Sequence, residues 1–207
     1  GLGKRLEWPD DFFSIYGELS YQKYDLNNYT YMRFLASDGQ FNLLSFTTKL
    51  MRFSTSPNLI YPRSGSSFTL ALQLTPPYSF ISGKDMAGTI NAVKYKWIEF
   101  HKWTFKADYY FPITKDDKMV LNAKFAFGYL GHYNKDIGPS PFESFYLGGS
   151  GMTGYTLYGH EIISMRGYTD GSLTPVDANS TPIGNVYSKI SFELRYPISL
   201  NQQATIF

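Results

Sequence analysis

The feature that most constrains this chain is a period-2 alternation of apolar and polar residues, repeated in long stretches. Alternation at this period puts successive side chains on opposite faces of an extended strand. From Phe13 to Tyr21, one face carries Phe13, Ile15, Gly17, Leu19 and Tyr21, and the other Ser14, Tyr16, Glu18 and Ser20. The same pattern recurs over Leu44–Leu50, Ser67–Leu74, Trp103–Phe111, Leu121–Tyr129 and Ser188–Tyr196. Partial strands are expected at Gly1–Trp8 and Ala204–Phe207. Nothing approaches the ~18 consecutive apolar residues of a membrane helix, so the expected fold class is all-β and antiparallel.

Alternation alone leaves open which face is inside, because a soluble sandwich also alternates. Several strands can reach the about 9–11 residues that cross a bilayer at a tilt. Aromatic residues are 18% of the chain and charged ones 17%, against about 25% charged in an ordinary soluble domain. Many aromatics stand near strand ends (Trp8, Phe12 and Phe13; Tyr109, Tyr110 and Phe111; Tyr129 and Tyr133), where an interfacial girdle would lie. The connections alternate in length. Pro9–Asp11, Ser54–Ser64, Pro112–Asp117 and Pro197–Gln202 are short, whereas Asp25–Gln40, Thr75–Lys102 and Gly131–Asn185 are long. Short turns on one side and long loops on the other favour a transmembrane β-barrel over a sandwich. The ragged strand count would leave open edges that lipid does not tolerate, so we expect an internal portion of a larger barrel.

The net charge of +2 is mild and the Lys and Arg are scattered, which argues against nucleic acid. With no cysteine there is no disulfide framework or thiolate metal site. His101, His132 and His160 fall in different loops without ligand spacing, so no metal is expected. Gly148-Gly149-Ser150-Gly151 is followed by Met152, which breaks the nucleophile-elbow pattern. Gly83-Lys84-Asp85 is not a P-loop. Glu18, Asp108 and Glu193 stand on polar strand faces with Lys49, Lys106, Lys124 and Arg195, which reads as a balanced lumen. We expect no catalytic residue, no cofactor and no enzymatic activity.

Two segments of the long connection 131–185 carry a resemblance: Phe145-Tyr146-Leu147-Gly148-Gly149, and Met165-Arg166-Gly167-Tyr168. Together with Tyr61-Pro62-Arg63-Ser64-Gly65, Tyr110-Phe111-Pro112-Ile113 and Arg5-Leu6-Glu7-Trp8-Pro9-Asp10-Asp11, their order resembles the barrel of the Omp85/BamA family of outer-membrane protein insertases, in a Bacteroidota-like form. The resemblance covers nearly the whole chain. It implies about seven strands of a sixteen-stranded barrel in the bacterial outer membrane, all of 1–207 within one barrel domain. It also implies a loop 131–185 folded back into the lumen with Arg166, Gly167 and Tyr168 at its tip.

Arginine offers a rigid fork of donors suited to a carboxylate. Glu193, on the polar face of the next strand, matches an acidic position of the family and is the expected partner of Arg166. Gly167 would let the backbone approach the wall closely, and Tyr168 would wedge against lumen side chains. Phe145, Tyr146, Gly148 and Gly149 would form the base of the loop. By the same resemblance, the parent inserts unfolded outer-membrane proteins into the bilayer. Its partners would be those substrates, outer-membrane lipids, preceding POTRA domains and accessory lipoproteins. The alternatives are an Omp85-type exporter (two-partner secretion or autotransporter assembly), and a porin-like channel or adhesin barrel.

Overall fold

A computed structural model describes residues 1–28, 38–55, 61–83, 90–149, 161–176, 183–197 and 205–206. Its main element is one eight-stranded antiparallel sheet. The strands are β1 (Leu2–Arg5), β2 (Phe13–Leu26), β3 (Gly39–Thr55), β4 (Gly65–Leu74), β5 (His101–Pro112), β6 (Val120–Gly131), β9 (Val186–Pro197) and β10 (Thr205–Ile206). They pair strictly with their neighbours in chain order, β1-β2-β3-β4-β5-β6-β9-β10. A separate parallel pair, β7 (Phe145–Leu147) and β8 (Glu161–Ile163), lies within the longest connection. Because a meander reverses at every turn, all short connections fall at one end of the sheet and all long ones at the other. The loop-length alternation in the sequence therefore has its structural counterpart.

The register lines up one apolar row across the sheet: Leu50 opposite Leu70, Leu70 opposite Phe105, and Phe105 opposite Phe127. Among the described residues, nothing packs across this face. Leu19 is 71% exposed, Ile190 66% and Phe192 68%. A sandwich would bury that face in its core, so the sandwich reading fails here. Strands of 12 to 17 residues in β2, β3, β5, β6 and β9 with an exposed apolar face are lipid-facing barrel strands.

The buried cluster sits on the opposite face, at the long-loop end. It gathers Phe41 and Leu43 of β3, Leu130 of β6 and Tyr187 of β9 with Tyr95, Ile98, Phe100, Ile137, Phe142, Phe145 and Ile163. The loops therefore fold onto the inward face of their own sheet. β3 runs from Gly39 to Thr55, beyond the expected Leu44–Leu50; toward Gly39 the loops cover its inward face, so Phe41 and Leu43 are apolar on the polar parity and alternation disappears.

The connection from β4 to β5 contains two one-turn helices, α1 (Tyr78–Ser82) and α2 (Asn91–Lys94), which alternation did not announce. Pro77 precedes α1 and Gly83, left-handed at φ 61°, ends it, a common pairing of start and stop residues. Beyond Phe46, where β4 stops pairing with β3, the free edge of β3 is filled by this connection. The Asn42 N–H donates to the Lys96 carbonyl at 2.9 Å, and the Ile98 N–H donates to the Asn42 carbonyl at 2.9 Å. At the short-turn end, the buried Tyr61 hydroxyl is shared between the carbonyls of Lys118 (2.7 Å) and Arg195 (3.0 Å).

Candidate functional site

The two loop segments singled out in the sequence meet. The Gly149 N–H donates to the Tyr168 carbonyl at 2.9 Å, and the Met165 N–H donates to the Gly149 carbonyl at 2.9 Å. Gly148 donates to the carbonyl of Ile163 at 3.1 Å, continuing the register in which Leu147 faces Ile163. Both glycines have positive φ, 125° and 92°. A Cβ on Gly148 would lie 2.2 Å from the Thr169 carbonyl oxygen, and one on Gly149 1.7 Å from the Asp170 carboxylate. Only glycine allows this conformation and this approach together.

The base of the loop is anchored by Phe145, which is fully buried. Its ring meets Tyr187 of β9 edge-on at 4.7 Å between centroids. The space for both rings is opened by Gly128 of β6, where a Cβ would lie 2.2 Å from the Tyr187 ring and 2.7 Å from that of Phe145. The Phe145 N–H donates to the Gly184 carbonyl at 2.7 Å, and the Leu147 N–H to the Thr174 hydroxyl at 2.8 Å. Tyr146, half-buried, lies against Gly171.

Charged groups then tie the loop to the polar face of the sheet. The Lys102 ammonium, on β5, lies 3.3 Å from Glu143 and 3.4 Å from Glu161, and 4.7 Å from the Phe145 ring centroid. Lys106, four residues further along the same face of β5, lies 3.1 Å from Glu161. The Lys189 ammonium of β9 donates to the Ser164 carbonyl at 2.6 Å. Burial pushes the Glu143 carboxyl above the usual glutamate range, with Lys102 opposing the shift. Burial acts on Glu161 in the same sense, but the ammonium groups of Lys102 and Lys106 outweigh it and hold that carboxyl below its ordinary value.

These clamp residues escaped the sequence reading. The connection expected over Thr75–Lys102 ends two residues too late, because Lys102 is the second residue of β5. Glu143 and Glu161 lie in the loop far from Lys102 in sequence. Their one signal was an isolated acid within an otherwise apolar run, Pro141-Phe142-Glu143-Ser144-Phe145 and Glu161-Ile162-Ile163.

The expected tip residues are placed as follows. Arg166 is exposed on the turn after Met165 and within electrostatic range of Lys189. Gly167 has φ 86°, and a Cβ there would meet nothing within 4 Å. Among the described residues, glycine is therefore needed at 167 for its backbone conformation. Tyr168 is 52% exposed; its main chain, through the bond from Gly149, makes the contact just described. Glu193 accepts from Lys124 at 2.7 Å on one oxygen and from Arg195 at 2.9 Å on the other. Residues 150–160, including the rest of the glycine-rich bend and His160, lie outside the described residues. Between Glu161 and the polar residues of β2 to β5, among them Glu18, Lys49, Gln73 and Lys106, lies a cavity of about 410 Å³.

A family model described as the Omp85 superfamily domain matches residues 5–207. Among solved structures, the chain is similar to the crystal structure of BamA from Haemophilus ducreyi lacking POTRA domains 1-3. The TM-score is 0.60 at 19% identity, over 94% of this chain and 36% of that one. That likeness is one of fold, and the chain spans about a third of that protein's length. No curated protein matches the chain.

Proposed function

Because the chain belongs to the Omp85 superfamily and forms part of an outer-membrane β-barrel, we propose that its parent folds and inserts β-barrel proteins into the outer membrane. The observation that supports this reading is the clamped loop: the Gly148-Gly149 base joined to the Met165–Tyr168 tip, and both tied to β5 and β9. A loop held to the wall at several points must be released before a substrate can pass through the lumen, so firm anchoring favours insertion over export. An insertase needs a rigid wall opposite the strands that open. Strand-by-strand growth at an open edge supplies the backbone hydrogen bonds that lipid cannot, so a barrel able to open would lower the barrier to insertion.

In this reading the loop 131–185 occupies the lumen, and Arg166 reaches Glu193. Two observations support that pairing. Lys189, Ser191, Glu193 and Arg195 share one face of β9, and Ser164, two residues before Arg166, is tied to Lys189 on that face. Each Glu193 oxygen retains a second acceptor site beside the bond it already makes. Substrate strands, POTRA domains and accessory lipoproteins are the partners this function calls for.

The test is depletion of the parent protein in its native cell, followed by quantification of the outer-membrane proteome. A fall in many unrelated barrel proteins, with precursors accumulating in the periplasm, is the expected result. Loss of one secreted or surface protein, with other barrels unchanged, would replace this reading with a dedicated exporter.

A further inference from the structure

The β4–β5 connection carries a largely apolar groove. Tyr78 and Ile81 of α1, Val93 and Lys94 of α2, and Lys96 and Trp97 after it line about 310 Å³, with the buried Glu99 and Ile137 in its floor. Trp97 stacks on Tyr78 at 4.9 Å between ring centroids. Beside it Phe80 is 66% exposed and Ile90 70%. Single exposed apolar residues need no explanation, but a contiguous patch does.

Its position in the sheet says what covers it. Trp97 pairs in parallel with Asn42 of β3, and paired residues present their side chains on the same face. Asn42 shares its parity with Leu44 and Phe46, and it accepts from the hydroxyl of Tyr21 at 2.7 Å. Tyr21 and Phe46 are exposed members of the lipid-facing row. The groove thus continues the lipid-facing surface past the last apolar pair, Tyr21 opposite Leu44, to the level where Lys23 faces Asn42. A tryptophan at this height beside lysines is the composition of a membrane interface. Of the acidic groups nearby, Asp25 is bonded to Gln40. Glu99 is buried beneath α1, accepting from the Ser79 N–H and hydroxyl at 2.8 and 2.7 Å.

We infer that this groove is a binding site for a net-anionic, phosphate-bearing lipid of the outer leaflet, its acyl chain along Ile81, Val93 and Trp97 and its headgroup at Lys94 and Lys96. The inference rests on the membrane placement of the barrel and not on the insertase reading.

The full-length protein would be reconstituted in phosphatidylcholine vesicles doped with an acyl-photoreactive phosphatidylglycerol or phosphatidylcholine, and labelled residues mapped by mass spectrometry. The anionic probe should label the groove roughly thirtyfold more than the zwitterionic one, as expected of two lysines near a headgroup. Lys94→Glu with Lys96→Glu should abolish that preference, and Lys94→Arg with Lys96→Arg should keep it. Ile190 and Phe192, on the lipid-facing side of β9, should be labelled by both probes in every variant, reporting an intact, inserted barrel. Labelling of those two without the groove, or equal labelling of the groove by both probes, overturns the site and leaves the barrel reading standing. Failure to label any of them overturns the membrane placement too. Crosslinking of a photoreactive residue at position 81 to a protein in intact cells would give the groove to a protein partner and also overturn the proposal.

Discussion

The main-chain N–H of Gly149 and the carbonyl of Tyr168 lie 2.9 Å apart, joining two loop segments that are nineteen residues apart by the difference of their numbers. Because the contact is made by backbone, it survives side-chain change and fails when a side chain is added. Gly148→Ala would set a methyl 2.2 Å from the Thr169 oxygen at φ 125°, whereas Gly167→Ala adds a methyl into open space at φ 86°. We expect Gly167→Ala to cost roughly 1–2 kcal/mol of loop stability and Gly148→Ala distinctly more, since steric overlap with backbone adds to the strain. Limited proteolysis of the loop in the folded barrel checks the order. Equal sensitivity in the two variants would contradict it.

Lys102 and Lys106 both contact Glu161, but their surroundings differ. The Lys102 side chain is 8% exposed and that of Lys106 57%. Removing Lys102 leaves the buried Glu143 without its cation, which costs about 3–5 kcal/mol where a buried pair is broken. Lys106→Ala should cost under about 1 kcal/mol, as exposed pairs do. Hydrogen exchange of the Phe145–Leu147 amides reads both. Lys102→Ala combined with Glu143→Ala should recover part of the loss, and no recovery would remove the buried pair from the explanation.

The two glutamates should respond to charge removal in opposite directions. Glu143 binds its proton more tightly in the folded loop than in the unfolded chain. Its contribution to stability is therefore complete below the ordinary glutamate range and is lost as pH rises through the folded value. The fold thus disfavours its ionised form, so Glu143→Gln should leave the loop as firmly attached as before or more so. The depressed Glu161 contributes above the ordinary range and loses that contribution as pH falls through its folded value, so Glu161→Gln should loosen the loop at pH 7. Amide exchange measured from pH 7 downward distinguishes the two. Loosening by Glu143→Gln at neutral pH would reverse the assignment.

For the proposed pairing of Arg166 with Glu193, the decisive quantity is a coupling energy. Single and double alanine variants should show a coupling of roughly 0.5–3 kcal/mol in loop opening, the range for residues in contact. Coupling within error of zero would mean that Glu193 serves Lys124 and Arg195 alone.

The strands were legible because a membrane barrel writes its two environments onto alternate residues. In β9 the exposure pattern alternates over nearly its whole length, and the boundaries of the 131–185 connection coincide with the ends of β6 and β9. Legibility failed where loops cover the inward face. Phe41 and Leu43, apolar on the polar parity, hid the upper part of β3, and the one-turn helices of the β4–β5 connection are too short to show a period.

What the sequence determined by itself was the local order: which residues extend, which face each presents, and where the chain must turn. Each depends on neighbours in the chain. Which face is covered, and what holds the loop, were decided only by tertiary structure. Lys102 meets Glu143 and Glu161 across forty-one and fifty-nine positions, counting the differences between their numbers. Pairing of charges at such separation depends on where the whole sheet delivers them, and no local pattern encodes it.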